Sequence, residues 1–479
     1  MRNIRLLFPV FFVILFGCRT QSDFNQVLED MQENLDFGNI SAVIQVADSL
    51  KNLSTGNKEV LHIADSLKQI AERIALDFSV TEKQADIQIE KLLGKVTTGE
   101  KTAWEEKGWL EWRMIDCEKK YFKRAVPNLL LIKKFREQKN DRLREIANEP
   151  EMIFRLHHTE QVLKSSENQT NPVVPVNMKM TYTITVHPDA VPDGEKISCW
   201  LPFPKNDSPR QKEIKLLSTS YPEYIIAPDT AIHSTLYMEA VSKKGVSTIF
   251  QISYSYTSNA QHFNMAGIKT LPYDKSSDDY QKYTAEQLPH ICFTDDIRKL
   301  ADSITGNDDN PASVVRKIYF WFKENIPWAG ALEYSIMPNI SEYVLRNRRG
   351  DCGMQTFLFI SMLRYKGIPV KWQSGWMVPP DAENLHDWCE VYYQGTGWVP
   401  VDISYDLQNS EKSPVKDFYL SGIDSYRLIV NDGIAGPLHP EKRYLRSEPY
   451  DFQRGEVEWK GGNVYFDKWD YNMKIEYMK

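Results

Sequence analysis

The stretch RGDCGMQTFLFISMLR, residues 349–364, decides how the rest of this chain is interpreted. Its first four residues have the composition of a turn, and residues 353–364 are apolar almost all round, which is typical of a buried helix. Cys352 stands at the N-terminus of that helix. The helix dipole and the unpaired N–H groups there favour a thiolate over a thiol, so the pattern predicts that Cys352 is a nucleophile.

Two strand-like runs, at 385–393 and 398–403, lie downstream around a Gly-rich turn and predict an antiparallel hairpin. A two-residue turn would place residue 386 opposite residue 403, so that His386 and Asp402 lie about one position apart across the hairpin, and a longer turn would shift this pairing by two. The hairpin then presents a carboxylate beside an imidazole. Packed against the N-terminus of the helix, it would complete a Cys-His-Asp arrangement with Cys352.

Five segments in this order resemble the transglutaminase-like superfamily, whose fold is related to papain, and the resemblance covers about residues 310–405. The segments are Asn325-Ile326-Pro327-Trp328, Arg349-Gly350-Asp351-Cys352, Leu363-Arg364-Tyr365-Lys366-Gly367-Ile368-Pro369, His386-Asp387-Trp388-Cys389-Glu390-Val391-Tyr392 and Gly397-Trp398-Val399-Pro400-Val401-Asp402. The resemblance implies that Cys352 is the nucleophile, His386 the base and acid, and Asp402 the group that orients the imidazole. Asp387 stands where members more often carry a small residue, and we expect this second carboxylate to raise the pKa of His386.

The chemistry implied is attack of the Cys352 thiolate on a peptide or protein amide, with a thioester as the intermediate. The backbone N–H of Cys352 is one expected oxyanion donor, and Trp328 or Tyr334 is the candidate for the second, with Trp328 preferred. Water as the acyl acceptor would make the protein a peptidase, amidase or deamidase, and a lysine amine would make it a transglutaminase. The alternative is a non-catalytic binding or scaffold protein of the cell envelope that keeps a relic triad.

The N-terminus has the pattern of a secretory signal. Arg2 and Arg5 precede an apolar run at 6–16, which is too short to span a bilayer. Leu15-Phe16-Gly17-Cys18 resembles the lipobox of bacterial lipoproteins, and the alternative is a plain secretory signal with a coincidental cysteine. We therefore expect a signal peptide at 1–17 and a lipid anchor on Cys18. The anchor would attach the protein to the bacterial cell envelope, with the outer membrane expected, on its periplasmic or surface face.

The remaining patterns divide the chain and indicate an α+β multidomain protein. Residues 18–167 read as helical, with Trp104, Trp109 and Trp112 on one helical pattern. Period-two runs between 172 and 265 predict a β-sandwich. The transglutaminase-like α+β core is expected at 285–420, and a Gly-Gly turn predicts a C-terminal β-hairpin tail at 421–479.

Composition excludes several classes of function. The 479 residues include 58 basic and 65 acidic side chains, a net charge of −7, and no basic stripe dominates, so no nucleic-acid partner is expected. The six cysteines are too few for a disulfide scaffold. His157-His158 has no partner at zinc-ligand spacing, so neither a metal nor another cofactor is predicted.

Overall fold

The computed structural model describes residues 21–52, 57–137 and 149–478. The predicted signal peptide at 1–17 and the predicted lipidation site Cys18 lie outside these residues. The chain divides into two compact units, one of residues up to 84 together with 112–123, and the other of 85–111 together with 124 onwards. Across the described ranges, no helix combines the length and the apolar character that crossing a membrane requires.

The first unit is formed by three helices and a small antiparallel sheet. Its elements are α1 (Gln21–Phe37), α2 (Ile40–Asn52), α3 (Lys58–Asp77), β1 (Val80–Thr81), β2 (Trp112–Ile115) and β3 (Glu118–Tyr121), in sheet order β1-β3-β2. The helix α2 buries Ile40, Val43, Ala47 and Leu50, the spacing of one helical face. Trp112 begins a strand, so the prediction that it continues a helical pattern is wrong. The strands β2 and β3 form a tight hairpin in which Ile115 pairs with Glu118, and the two-residue turn between them interrupts the helical pattern.

The second unit begins with four helices, the first of which spans the boundary between the units in sequence. They are α4 (Glu82–Leu93), α5 (Thr98–Glu106), α6 (Ala125–Glu137) and α7 (Pro150–Ser165). Thr97 and Glu100 form a capping box that starts α5, and Pro150 at the first helical position starts α7.

Two antiparallel sheets follow, and residues 172–265, where a β-sandwich is predicted, contribute six of their ten strands. One sheet has the order β13-β9-β4-β17 with β6 also paired to β9, and the other has the order β16-β15-β5-β8-β7. Their strands are β4 (Val173–Val186), β5 (Lys196–Pro202), β6 (Gln211–Thr219), β7 (Tyr224–Ile226), β8 (Thr235–Val241), β9 (Thr248–His262), β13 (Gly422–Ile423), β15 (Glu456–Trp459), β16 (Gly462–Val464) and β17 (Trp469–Met478). One apolar cluster contains buried side chains from both sheets, including Tyr182, Trp200 and Trp469.

The segment with the candidate site contains a third sheet and six helices. The sheet is antiparallel, in the order β12-β11-β10-β14, with strands β10 (Val370–Met377), β11 (Asn384–Tyr393), β12 (Gly397–Val401) and β14 (Arg427–Asn431). The helices are α8 (Asp278–Thr284), α9 (Asp295–Thr305), α10 (Pro311–Asn325), α11 (Ile340–Asn347), α12 (Cys352–Tyr365) and α13 (Ser413–Lys416). Residues 352–364 of α12 are all buried, as its apolar sequence indicates. The predicted α+β class is confirmed.

The C-terminal residues 421–479 contain the predicted hairpin, in which Trp459 pairs with Gly462, but they are not a separate tail. The strand β15 pairs with β5, and β17 pairs with β4 along its whole length, from Trp469–Val186 to Met478–Asn177. The strand β14 joins the third sheet beside β10. The C-terminal segment therefore completes all three sheets of the second unit.

Candidate active site

Cys352 is the first residue of α12, and its neighbours fix that end of the helix. Asp351 is the N-cap, and its carboxylate accepts from the Met354 backbone N–H at 2.9 Å and from the Tyr334 hydroxyl at 2.6 Å. A Cβ on Gly353 would lie 2.2 Å from the Tyr334 hydroxyl oxygen and 2.7 Å from Asp387 Oδ2. The chain therefore needs glycine after the cysteine, because these side chains occupy the space.

His386 and Asp402 meet at one end of the hairpin of β11 and β12. His386 Nε2 lies 2.6 Å from Asp402 Oδ2, and both side chains are buried. Tyr393 pairs with Gly397, so the turn has three residues and residue 386 falls opposite 404 rather than 403; the two-residue turn is wrong. With Asp402 ionised, Nε2 carries the imidazole proton and Nδ1 is the nitrogen that can accept one.

Further groups hold the His386 ring. Tyr405 stacks on it with ring centroids 4.8 Å apart and planes 25° from parallel, and the Arg155 guanidinium lies 3.8 Å from the Tyr405 ring. Gly375 pairs with His386 across the sheet, and a Cβ there would lie 2.0 Å from the Leu428 carbonyl oxygen. The His386 ring therefore packs on the face of Tyr405, beside the point where β10 and β14 approach each other closely.

Sequence reasoning missed the charges behind Asp402. Arg427 at the start of β14 donates from Nη1 to Asp402 Oδ2 at 2.9 Å and from Nη2 to Asp424 Oδ2 at 2.7 Å. All three side chains are buried. A usable signal existed, because Arg427 directly precedes the apolar run Leu428-Ile429-Val430, and an arginine buried with such a strand needs an anionic partner.

These contacts set the protonation states on the histidine side of the site. Burial alone would raise the pKa of Asp402, but His386 and Arg427 outweigh it and hold that pKa well below its usual value. Arg427 likewise outweighs burial at Asp424, whose pKa is about 2. The pKa of His386 is lowered, because burial and Arg427 together exceed the effect of Asp402. The His386 imidazole is therefore neutral near pH 7 and bonded to an ionised carboxylate.

The cysteine side is built from carboxyl groups. The Cys352 thiol donates to Asp387 Oδ2 at 3.1 Å. Gln453 donates from Nε2 to Asp387 Oδ1 at 2.9 Å, and Asp451 accepts from Ser374 Oγ at 2.6 Å and from the Phe452 N–H at 2.8 Å. Gln453 and Asp451 come from the C-terminal segment, which the sequence did not connect with the site.

The thiolate prediction for Cys352 is not supported by these surroundings. Burial, followed by the charges of Asp387 and Asp351, raises the pKa of the thiol well above its usual value. The pKa of Asp387 is itself raised by burial and by Asp451, and burial raises the pKa of Asp351 to about 6. The helix dipole is a local effect, and the nearby carboxyl groups outweigh it.

The expected rise in the pKa of His386 is also wrong, since burial and Arg427 lower that pKa and Asp387 is not among the groups with the largest effects on it. Adjacent residues of a strand point to opposite faces. Asp387 therefore bonds to the Cys352 thiol, and Asp402 is the carboxylate that bonds to the imidazole.

A cavity of about 570 Å³ brings the two sides together. Cys352, His386 and Asp387 all line it, as do Trp328 and Tyr334. Only 8% of Cys352 and 5% of His386 are exposed, so the reactive groups lie at the bottom of the cavity. Trp328 is half-buried with the Arg124 guanidinium 5.8 Å from its ring.

The candidate oxyanion donors differ in their contacts. The Tyr334 hydroxyl donates to Asp351, so it is engaged in holding the start of α12. Trp328 lines the cavity and is bridged through its backbone to Gly350. In the part of the chain that the structure describes, no group of three His, Cys, Asp or Glu side chains is arranged to hold a metal ion.

Comparison with known proteins adds relatives in sequence. Over 193 residues the chain is 24% identical to YebA, an uncharacterized protein of Bacillus subtilis strain 168, and the match covers 36% of this chain and 26% of that protein. The chain thus spans about a quarter of the length of this curated relative.

Solved structures with similar folds include a candidate cysteine protease from Cytophaga hutchinsonii. It is 15% identical, with 64% of this chain and 92% of that chain covered and a TM-score of 0.41. Another is the periplasmic domain of TgpA from Pseudomonas aeruginosa bound to ethylmercury, which is 13% identical, with 54% and 97% covered and a TM-score of 0.27.

Residues 298–403 match the model of the transglutaminase-like superfamily, and this range includes α12 and the hairpin that carries His386. This chain therefore carries a domain of the transglutaminase-like superfamily.

Proposed function

We propose that this protein transfers acyl groups from peptide or protein amides through a thioester on Cys352. The observation that carries the proposal is that Cys352 and His386 line a single cavity of about 570 Å³ and that Asp402 is bonded to His386. A cavity of this size accommodates a short stretch of peptide. Hydrolysis is the outcome we favour, which would make the protein a peptidase, amidase or deamidase.

The first step is a proton transfer from the Cys352 thiol to His386 Nδ1, which gives a thiolate and an imidazolium. Asp402, ionised and bonded to Nε2 at 2.6 Å, stabilises the positive charge that the ring acquires. Arg427, bonded to the same carboxylate oxygen, keeps Asp402 ionised while this happens. The His386 ring is thus oriented before the substrate binds, and the negative charge of Asp402 is in place to balance the imidazolium.

The second step is attack of the sulfur on the amide carbonyl carbon. The oxyanion that forms would accept from the backbone N–H of Cys352, which is one of the unpaired N–H groups at a helix N-terminus. Trp328 is our candidate for the second donor. His386 then protonates the leaving amine, the C–N bond breaks, and the acyl group stays on the sulfur as a thioester. Water releases it as an acid, and an amine releases it as a new amide.

The test is direct capture of the thioester. The full chain is incubated with a mixture of peptide amides and quenched in acid, and the peptide that contains Cys352 is examined by mass spectrometry. We expect an added acyl mass that hydroxylamine removes. Cys352→Ser should lose this adduct, and Cys292→Ser, which changes a buried cysteine elsewhere in the same unit, should keep it. Equal adduct formation in the Cys352→Ser variant would refute the proposal.

A second candidate function is a non-catalytic binding or scaffold protein with a relic triad. The observation in its favour is the cysteine itself, which is 8% exposed and whose thiol is bonded to a carboxyl group. Under this alternative no acyl adduct forms with any amide.

We also propose that a lipid on Cys18 holds the protein at the bacterial envelope. The support for this is the sequence of residues 1–18 alone. If the proposal is correct, Cys18→Ala moves the protein from the membrane fraction to the soluble fraction, and the wild-type chain carries a lipid mass on its first mature residue. A Cys18→Ala variant that stays in the membrane fraction would exclude this anchor.

A further inference from the structure

The Cys352 thiol is bonded to a carboxyl group in this structure. Its hydrogen bond runs to Asp387 Oδ2 at 3.1 Å, while the ring bond described for His386 is the one to Asp402. Asp387 follows His386 in β11, and both line the cavity with Cys352. The nucleophile is therefore in contact with a group that the Cys-His-Asp scheme does not use.

Asp387 is held firmly in this position. Gln453 Nε2 donates to Asp387 Oδ1 at 2.9 Å, and the same nitrogen donates to the backbone carbonyls of His386 and Gly375, each at 3.0 Å. Asp387 and Gln453 are both buried. Asp387 Oδ1 is thus fixed by the Gln453 amide, which is itself held by two backbone carbonyls. Asp387 Oδ2 is turned towards the Cys352 sulfur.

The position of this carboxyl opposes activation of the cysteine. When the S–H bond breaks and the proton moves to His386 Nδ1, a negative charge develops on the sulfur 3.1 Å from Asp387. The titratable groups that interact with Asp387 are Cys352 at the start of α12, its N-cap Asp351, Tyr334 before that helix, and Asp451 on the C-terminal segment. Two of these groups, Asp451 and Asp351, are carboxyls whose charges add to burial in raising the pKa of Asp387.

We propose that Asp387 is a positioning residue that keeps Cys352 protonated in the empty cavity, so that the thiolate forms only when the Asp387 carboxyl is neutralised or leaves the sulfur. The proposal rests on the proposed role of Cys352 as the nucleophile. It also accounts for the direction of the pKa of Cys352, which burial and Asp387 raise. The cavity then holds an inert thiol between reaction cycles.

The test is the pH dependence of alkylation of Cys352 in the full chain. Iodoacetamide labelling is followed by mass spectrometry from pH 5 to 10, with the exposed Cys117 as the internal reference. We expect the midpoint for Cys352 to lie above that of Cys117. In Asp387→Asn, which keeps the shape of the side chain without its charge, the midpoint should fall by about one pH unit or more, with about tenfold faster labelling at a pH between the two midpoints.

Asp406→Asn is the matched control, because it removes another carboxyl from the cavity wall and Asp406 makes none of the contacts described for Cys352. It should leave the Cys352 midpoint in place. An unchanged midpoint in Asp387→Asn would overturn the proposal, as would a shift of the same size in Asp406→Asn.

A measurement on the wild-type chain guards against a variant that does not fold. Cationic and anionic methanethiosulfonates, the ethylammonium and ethylsulfonate reagents, are compared at Cys352 and at Cys117. At a pH above the raised pKa of Asp387, the ionised carboxylate should favour the cationic reagent at Cys352 by about tenfold relative to Cys117. Equal ratios at the two cysteines would overturn the proposal.

These readouts separate the inference from the proposed function. A midpoint that moves in Asp387→Asn supports the positioning role even if no acyl adduct ever forms on Cys352. An acyl adduct that forms while the midpoint stays in place supports the proposed function and refutes the positioning role.

Discussion

Asp402 and Asp387 are two buried carboxyls, each bonded to a different member of the proposed Cys-His pair, and their surroundings are opposite in charge. Asp402 lies between His386 at 2.6 Å and Arg427 at 2.9 Å, and its pKa is well below the usual value. Asp387 contacts the Cys352 thiol and interacts with the carboxyls of Asp451 and Asp351, and its pKa is well above the usual value. Burial disfavours the ionised form in both, so the neighbours decide which carboxyl is charged.

The largest effect should come from Asp402→Asn. Asparagine keeps the volume of the side chain but has no negative charge to hold the proton on Nε2. The imidazole therefore takes the other tautomer, in which Nδ1 carries the proton and cannot accept one from Cys352. We expect thioester formation on Cys352 to slow by about 10³- to 10⁴-fold, measured as the rate of acyl adduct growth.

Asp470→Asn is the matched control for that variant, because Asp470 Oδ2 lies 2.8 Å from Nε2 of the exposed His187 in a similar pair on the sandwich. It should leave the rate of adduct growth unchanged. If the rate of adduct growth fell equally in Asp402→Asn and Asp470→Asn, Asp402 would have no special role in thioester formation.

The second effect is on stability and comes from Arg427→Met. Removing this cation leaves the carboxylates of Asp402 and Asp424 buried without Arg427. The surroundings of His386 would then resemble those of Cys352, where carboxyl groups are buried close to one another. We expect the free energy of unfolding in urea to fall by about 3–5 kcal/mol. Lys196→Met, which breaks an exposed pair with Glu239, should cost at most about 1 kcal/mol. If Arg427→Met were as stable as Lys196→Met, the buried carboxylates of Asp402 and Asp424 would not depend on the charge of Arg427 for stability.

The third effect is a pH dependence at Asp351 on the cysteine side. Burial raises the pKa of Asp351 to about 6 in the folded chain, above its ordinary value of 3.8, so the folded state binds the proton more tightly than the unfolded state. The stability that this provides is complete below pH 3.8 and is lost as the pH rises through 6, by at most about 3 kcal/mol.

Urea unfolding between pH 4 and 7, for the wild type and Asp351→Asn, tests this sign. Asparagine keeps the N-cap on α12 and removes the titration, so the variant should lose less stability over this range. Asp424 provides the contrast, because its folded-state pKa of about 2 gives stability that is lost only as the pH falls from 3.8 through 2. If the wild type and Asp351→Asn lost the same free energy of unfolding between pH 4 and 7, the assignment of this pH dependence to Asp351 would be wrong.

The smallest effect should come from Gly353→Ala. The added methyl would lie 2.2 Å from the Tyr334 hydroxyl oxygen and 2.7 Å from Asp387 Oδ2, so the carboxyl cluster must move. We expect a loss of about 1–3 kcal/mol in the free energy of unfolding. Gly99→Ala, in α5 with open space around it, should instead be neutral or slightly stabilising. Similar values for the two variants would show that the cysteine side is loosely packed.

The parts of the site that sequence could predict are those formed by neighbouring residues. The helix after Cys352 and the hairpin that joins His386 to Asp402 are local structures with strong patterns, and the structure contains both. Arg427, Asp451 and Gln453 reach the site through the pairing of β14 with β10 and through the sheets around it, which no local pattern encodes. The thiolate prediction is not supported for the same reason, because the dipole of α12 is local, whereas burial and the Asp387 carboxyl, which together raise the pKa of the Cys352 thiol, depend on the tertiary fold.

The pairing of β17 with β4 has a consequence for how the protein is made. Since a polypeptide is synthesised from its N-terminus, Cys352 and His386 leave the ribosome before Arg427, Asp451 and Gln453, and β17 follows all of them. An unfinished chain carries the cysteine and the histidine without the cation behind Asp402 or the amide that holds Asp387. The side chains of Cys352 and His386 therefore gain their final surroundings only after the C-terminal segment has been made and has paired with the earlier strands.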